Sequence, residues 1–219
     1  FMSTYGYSIH KMKDAIKTFA IMLVPMLFII LQRETGSALV YLSFLLMFYR
    51  EGMPGSVLFT GVAAVIYFVV GIRYEDMLMF GSPTSVGKFV VLSLVQLFTA
   101  GMVYVYCRNK VGAWSIVGYT VLITGIGMLF SVYVIPFDVV WVQLVLCAVM
   151  IGWLLIQGLG TRLKQYFFIM LFSLGSMAFF YSADHVLNNV LEPHQRVRIN
   201  VLLGLDEDLS GAGYNVHQS

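Results

Sequence analysis

Charge is scarce in this chain. Of 219 residues only 24 are ionic, 13 Lys or Arg and 11 Asp or Glu, so the charged share is 11% and the net charge is +2. Soluble domains carry about 25% charged residues, and a nucleic-acid surface needs a basic patch or stripe; both classes are excluded. Cysteine is nearly absent too. Cys107 and Cys147 both lie in or beside apolar runs, which rules out a disulfide framework or a paired-cysteine metal site. The N-terminal residues show no signal-peptide pattern of charged, apolar and small-residue regions.

What fills the chain is apolar: 59% of it is hydrophobic, in long runs separated by short polar corners. The fold class that follows is all-α, a polytopic transmembrane helix bundle of about seven spans. Ala15–Leu31 is the first span, with Lys11, Lys13 and Lys17 at its start and Pro25 expected to kink it. Gly36–Tyr49 is the second and is short, about 21 Å of helix against a hydrocarbon core of about 30 Å. The others are Val57–Ile72, Phe89–Tyr106, Ala113–Ile135, Val139–Ile156 and Tyr166–Tyr181.

The positive-inside rule sets the expected orientation. If Gly36–Tyr49 crosses, Lys11, Lys13, Lys17, Arg50, Arg108, Lys110, Arg162 and Lys164 lie inside, and only Arg33, Arg73 and Lys88 of the short segments lie outside. If it re-enters, that bias disappears. Seven spans that begin in the cytoplasm end outside it, so residues 1–183 read as the bundle and residues 184–219 as the start of an extracytoplasmic loop.

Two polar stretches carry more than composition. The first is His194-Gln195-Arg196-Val197-Arg198, followed by Leu202-Leu203, Asp208, Gly211-Ala212-Gly213-Tyr214 and Gln218-Ser219. The second is Gln32-Arg33-Glu34-Thr35-Gly36-Ser37-Ala38. Together and in this order they resemble the SEDS family of bacterial cell-wall proteins, the RodA/FtsW group, with the RodA branch most similar. There a YQRxR segment leads through LLDPxxDPxGxGY to a Gln-Ser pair, and a QPDLGT corner lies upstream. Gly204-Leu205 stand where that pattern has Asp-Pro, Leu209 replaces its second proline, and Arg33 and Glu34 replace the Pro and Asp of the corner. Relatives join corner and loop by two spans. Here there are six, which implies an insertion between Val57 and Gly160 and leaves the sidedness unchanged.

The resemblance implies a peptidoglycan glycosyltransferase that polymerises lipid II in cell-wall elongation and cell-shape maintenance. It implies residence in the bacterial cytoplasmic membrane and a class B penicillin-binding protein as partner. Its catalytic aspartate is expected beyond Ser219, in a segment resembling ExxHTDF, so the chain reads as an internal fragment with no catalytic residue of its own. The substrate-binding candidates are Gln195, Arg196, Arg198, Glu34, Tyr214 and Gln218.

Each has a plainer reading. Arg196 and Arg198 can grip a diphosphate through bidentate guanidinium forks, or pair with Asp206, Glu207 and Asp208 on the surface. Glu34 can face a polar cavity, or complement a helix N-terminus at about 0.3–1 kcal/mol. Gly211-Ala212-Gly213 is a turn, with Tyr214 packed behind it. No histidine pair has metal-ligand spacing; no cofactor is identified, and the chemistry leaves room for a divalent cation at the leaving diphosphate. Two other readings stand beside the enzyme: a transporter of polyprenyl-linked lipid, and a non-catalytic membrane scaffold for the penicillin-binding protein.

Overall fold

The computed structural model describes Lys17, Ile21, Val24, Pro25, Met47, Tyr49, Arg50 and Gly52, and then residues 55–79 and 81–185. Five long helices lie in the described part: α1 (Gly55–Arg73), α2 (Val86–Tyr106), α3 (Lys110–Tyr133), α4 (Val140–Thr161) and α5 (Lys164–His185). There is no strand among the described residues, only an isolated bridge between Leu78 and Ser85. With 19 to 24 residues each, the helices reach about 28 to 36 Å, enough for a core of about 30 Å. All five are long and apolar enough to cross a membrane. The chain is a multi-pass membrane protein. The first two expected spans fall largely outside the described residues, although Lys17, Ile21, Val24, Pro25, Met47, Tyr49 and Arg50 are each helical.

The chain forms two compact units, Phe1–Ala63 and Ala64–Ser219. In the second, α2 is the central helix and packs against α3, α4 and α5, while α4 also packs on α3 and α5. Its buried positions Val91, Leu92, Val95, Gln96, Thr99, Ala100 and Val103 recur at the three-to-four residue spacing of helix faces. One apolar cluster joins Val103, Ala113, Met150, Leu154, Tyr166 and Ile169; another joins Leu92, Val140 and Cys147.

Caps move the helix ends beyond the apolar runs. Ser85 accepts a hydrogen bond from the Lys88 amide and starts α2, so Lys88 lies in the first turn. Asn109 Oδ1 accepts from the Gly112 amide at 2.8 Å and starts α3 at Lys110. At its far end α3 stops at Tyr133 rather than Ile135, because Pro136 disfavours helical angles in the residue before it. α4 continues past Ile156 to Thr161.

The connections differ in kind. α2 and α3 are joined by three residues and α4 and α5 by two, short enough to make each pair antiparallel neighbours. In both turns an arginine takes left-handed backbone angles, Arg108 at φ 51° and Arg162 at φ 55°. Glycine is the usual occupant of such a position, and a side chain there costs about 1–2 kcal/mol. The α1–α2 connection is longer and folds on itself, with Met79 donating to Thr84 O, Val86 to Met77 O and Gly87 to Tyr74 O. Its tip is a turn closed by Ser82 N to Met79 O, in which Gly81 takes φ 81°, as a type II turn requires at its third position.

Candidate functional site

Inside a membrane every polar side chain needs a partner from the protein itself, so the polar residues buried among α2–α5 mark the places where packing alone does not explain the sequence. In the first turn of α4, Gln143 Nε2 donates to Ser93 Oγ of α2 at 2.7 Å, and the Ser93 hydroxyl donates to Phe89 O at 2.9 Å. Gln96 Nε2 reaches Gln143 O at 3.3 Å and Cys147 Sγ at 3.1 Å. The amide N–H groups thus tie α2 to α4. Both amide oxygens, Gln96 Oε1 and Gln143 Oε1, are buried without a partner. Thr99 and Ser173 share a 2.6 Å hydroxyl contact between α2 and α5. The Tyr67 hydroxyl lies near Ser176 without reaching hydrogen-bond geometry.

Gln96 also lines a groove of about 600 Å³ between α3 and α4, within the range of small-molecule sites, about 300–1,000 Å³. Its walls are mainly apolar, with Ile116, Tyr119 and Ile123 on α3 and Val145, Val149 and Trp153 on α4. Tyr119, Val145 and Val149 are exposed, so the groove opens toward lipid. It runs from Gly112 to Ile123 along α3, about 16 Å at 1.5 Å per residue.

One end of this groove meets a tight aromatic and amide joint. The Trp153 indole lies against Gly112, where an added Cβ would stand 2.6 Å from the ring. Trp153 meets Tyr166 edge-on, with centroids 6.1 Å apart, and Tyr166 Oη accepts from Asn109 Nδ2 at 3.1 Å. Beside them is Cys107, whose thiol burial pushes above its ordinary value of 9.0. At the other end of the bundle, Ser82 Oγ contacts Thr84 Oγ1 at 2.8 Å and Ser131 Oγ at 2.7 Å. Ser131 donates to Phe137 O at 2.6 Å, and Val139 N donates to Thr84 Oγ1 at 2.9 Å. Val139 caps α4 with no side-chain bond of its own; Asp138 Oδ1 accepts from the Val140 amide at 3.0 Å, and Thr84, 55 residues away, accepts from the Val139 amide.

Chemically, this interior offers neutral hydrogen bonding. The middles of α1–α5 contain no Asp, Glu, Lys, Arg or His, and the buried titratable side chains within them are Tyr67 and Cys147. Among the described residues no three His, Cys, Asp or Glu side chains converge.

Glu34, Gln195, Arg196, Arg198, Tyr214 and Gln218, the substrate-binding candidates, all lie outside the described residues. The groove and the Gln96–Gln143 pair were not among them. A signal for the pair was present, since each is a single amide in an otherwise apolar run. Comparison with family models, with curated proteins and with solved structures gives no match in any of the three.

Proposed function

We propose that this chain belongs to a RodA-like glycosyltransferase that polymerises lipid II outside the cytoplasmic membrane. The observation that carries the reading is the run Gln195-Arg196-Val197-Arg198 through Gly211-Ala212-Gly213-Tyr214 to Gln218-Ser219, placed after a helix bundle. On this reading Arg196 and Arg198 bind the departing diphosphate by charge-assisted forks, and Gln195, Tyr214, Gln218 and Glu34 are the further substrate-binding candidates.

Charge supports the orientation this requires. The turns after α2 and α4 carry Arg108, Lys110, Arg162 and Lys164 with no acidic residue between them. The segments at the opposite ends carry Glu75, Asp76 and Asp138 against Arg73 and Lys88. By the positive-inside rule the basic turns are cytoplasmic, and the chain after α5 is extracytoplasmic. A class B penicillin-binding protein is the partner this reading implies, and a divalent cation at the diphosphate is compatible with it.

The neutral middles of the described spans weigh against a proton-coupled transporter of the same lipid, which needs intramembrane acids or bases. The test is reconstitution in liposomes, with lipid II and the penicillin-binding partner, of the parent glycosyltransferase that carries the ExxHTDF-like segment the resemblance implies. Glycan strands are expected from that protein and none from residues 1–219 alone. Arg196→Ala combined with Arg198→Ala lowers their rate by roughly 100-fold, the order seen when a developing anion loses a donor. Strand formation at an undiminished rate in the double variant would overturn the assignment of the arginines. Transfer of labelled lipid II across the bilayer with no strands would overturn the enzyme.

A further inference from the structure

The two short turns repeat one arrangement. Each has an arginine in the left-handed region, one intervening residue, and a lysine as the first residue of the next helix: Arg108-Asn109-Lys110 and Arg162-Leu163-Lys164. The turns are neighbours, because Asn109 of the first donates to Tyr166, two residues past Lys164 of the second, at 3.1 Å. All four cations are exposed, and none forms a salt bridge with a described residue. Glycine would relieve the backbone at both arginines, yet both positions keep a guanidinium. Held backbone strain of this kind points toward function.

The α3–α4 groove ends at the same place. Gly112 and Trp153 both line it, and both touch the Asn109–Tyr166 joint: Gly112 donates its amide to Asn109 Oδ1, and Trp153 packs edge-on against Tyr166. From that end the groove runs about 16 Å, close to half of the roughly 30 Å hydrocarbon core. That is the depth reached by the chains of one leaflet.

We infer that the paired turns and the groove form a site for one anionic phospholipid, its phosphate held by Arg108, Lys110, Arg162 and Lys164 and one acyl chain lying between α3 and α4. Charge complementarity selects the headgroup, since planar guanidiniums match phosphate oxygens and basic residues at a membrane face attract anionic lipid. The apolar walls open toward lipid select a chain rather than a water-soluble anion. Nothing in this inference depends on the proposed glycosyltransferase.

Trp153 is the reporter. The chain has three tryptophans, and Trp114 and Trp141 are 69% and 70% exposed, so Trp114→Phe with Trp141→Phe leaves one indole at the groove wall. In vesicles of neutral lipid, phosphatidylglycerol with brominated chains should half-quench it at about one-fifth the mole fraction that brominated phosphatidylcholine needs. Arg108→Gly with Arg162→Gly, which suits the backbone of both turns, should shrink that difference below about twofold. Ser115→Phe, which fills the groove and leaves the charges, should weaken quenching by both lipids. Equal quenching by the two lipids in the unaltered turns, or a preference that survives the arginine replacements, overturns the headgroup site. Quenching unchanged by Ser115→Phe overturns the placement of the chain.

Discussion

Where α2 begins and α3 ends, the backbone groups leaving the helices are bonded by hydroxyls. Ser82, Thr84 and Ser131 are buried, contact one another, and take up Phe137 O and Val139 N. At the other end of the same helices the turns are two or three residues long, the side chains are basic and exposed, and only Asn109 and Tyr166 join the turns inward. One end satisfies its polar groups within the protein, which fixes distant segments to each other. The other leaves four cations facing outward. Buried, mutually bonded groups are costly to disturb, whereas exposed charges contribute little to stability and remain available for binding.

That contrast predicts an order of effects. The largest belongs to Gly87→Ala at the hydroxyl end, because an added Cβ collides with the Gly71 carbonyl oxygen and lies 3.0 Å from the Tyr74 carbonyl carbon. These are backbone atoms that cannot turn aside, and a loss of about 3 kcal/mol is expected by thermal unfolding in detergent. Thr84→Val follows at about 2 kcal/mol, since it leaves the buried Val139 N–H without an acceptor. A change below about 0.5 kcal/mol there would show that the hydroxyl cluster does not hold α4 in place.

At the basic end the effects are smaller. Asn109→Ala removes the cap of α3 and the bond to Tyr166 and should cost about 1 kcal/mol. Arg108→Gly should stabilise, by up to about 1 kcal/mol, as the left-handed angle is relieved; destabilisation would mean that the guanidinium is held by the fold itself. The least effect on stability is expected from pH. Burial raises the Cys107 thiol above 9.0, so folded protein holds less thiolate than an ordinary thiol at any given pH, and maleimide alkylation should be slower in the folded than in the unfolded chain at the same pH. Stability at this residue is full below pH 9.0 and declines as pH rises past it, because the unfolded thiol ionises first.

Much of this architecture was legible from hydropathy. The five described helices fall on the five apolar runs expected between Val57 and Tyr181, with ends displaced by a few residues. Caps explain the displacement: Asn109 draws Lys110 into α3, and Pro136 stops it early. The substrate-binding candidates were chosen where polar residues cluster in sequence, in the corner at Glu34 and the segment from Gln195 to Gln218. The groove could not be found that way, because its walls are mainly ordinary apolar positions and its polar residues, Gln96, Ser115 and Thr120, are scattered singly over two spans.

By itself the sequence determined that this chain lives in a membrane, which five of the described segments are long and apolar enough to cross it, and where the cations collect at their ends, because each depends only on the transfer of local residues between water and hydrocarbon. Only the tertiary structure decided which helix is central, that Thr84 bonds the start of a helix 55 residues away, and that two Arg-x-Lys turns stand side by side at the mouth of one groove. Those facts rest on contacts between side chains far apart in the chain. Among helices that are nearly uniformly apolar, hydrophobicity cannot rank one neighbour above another, so shape and a few buried hydrogen bonds choose the partners.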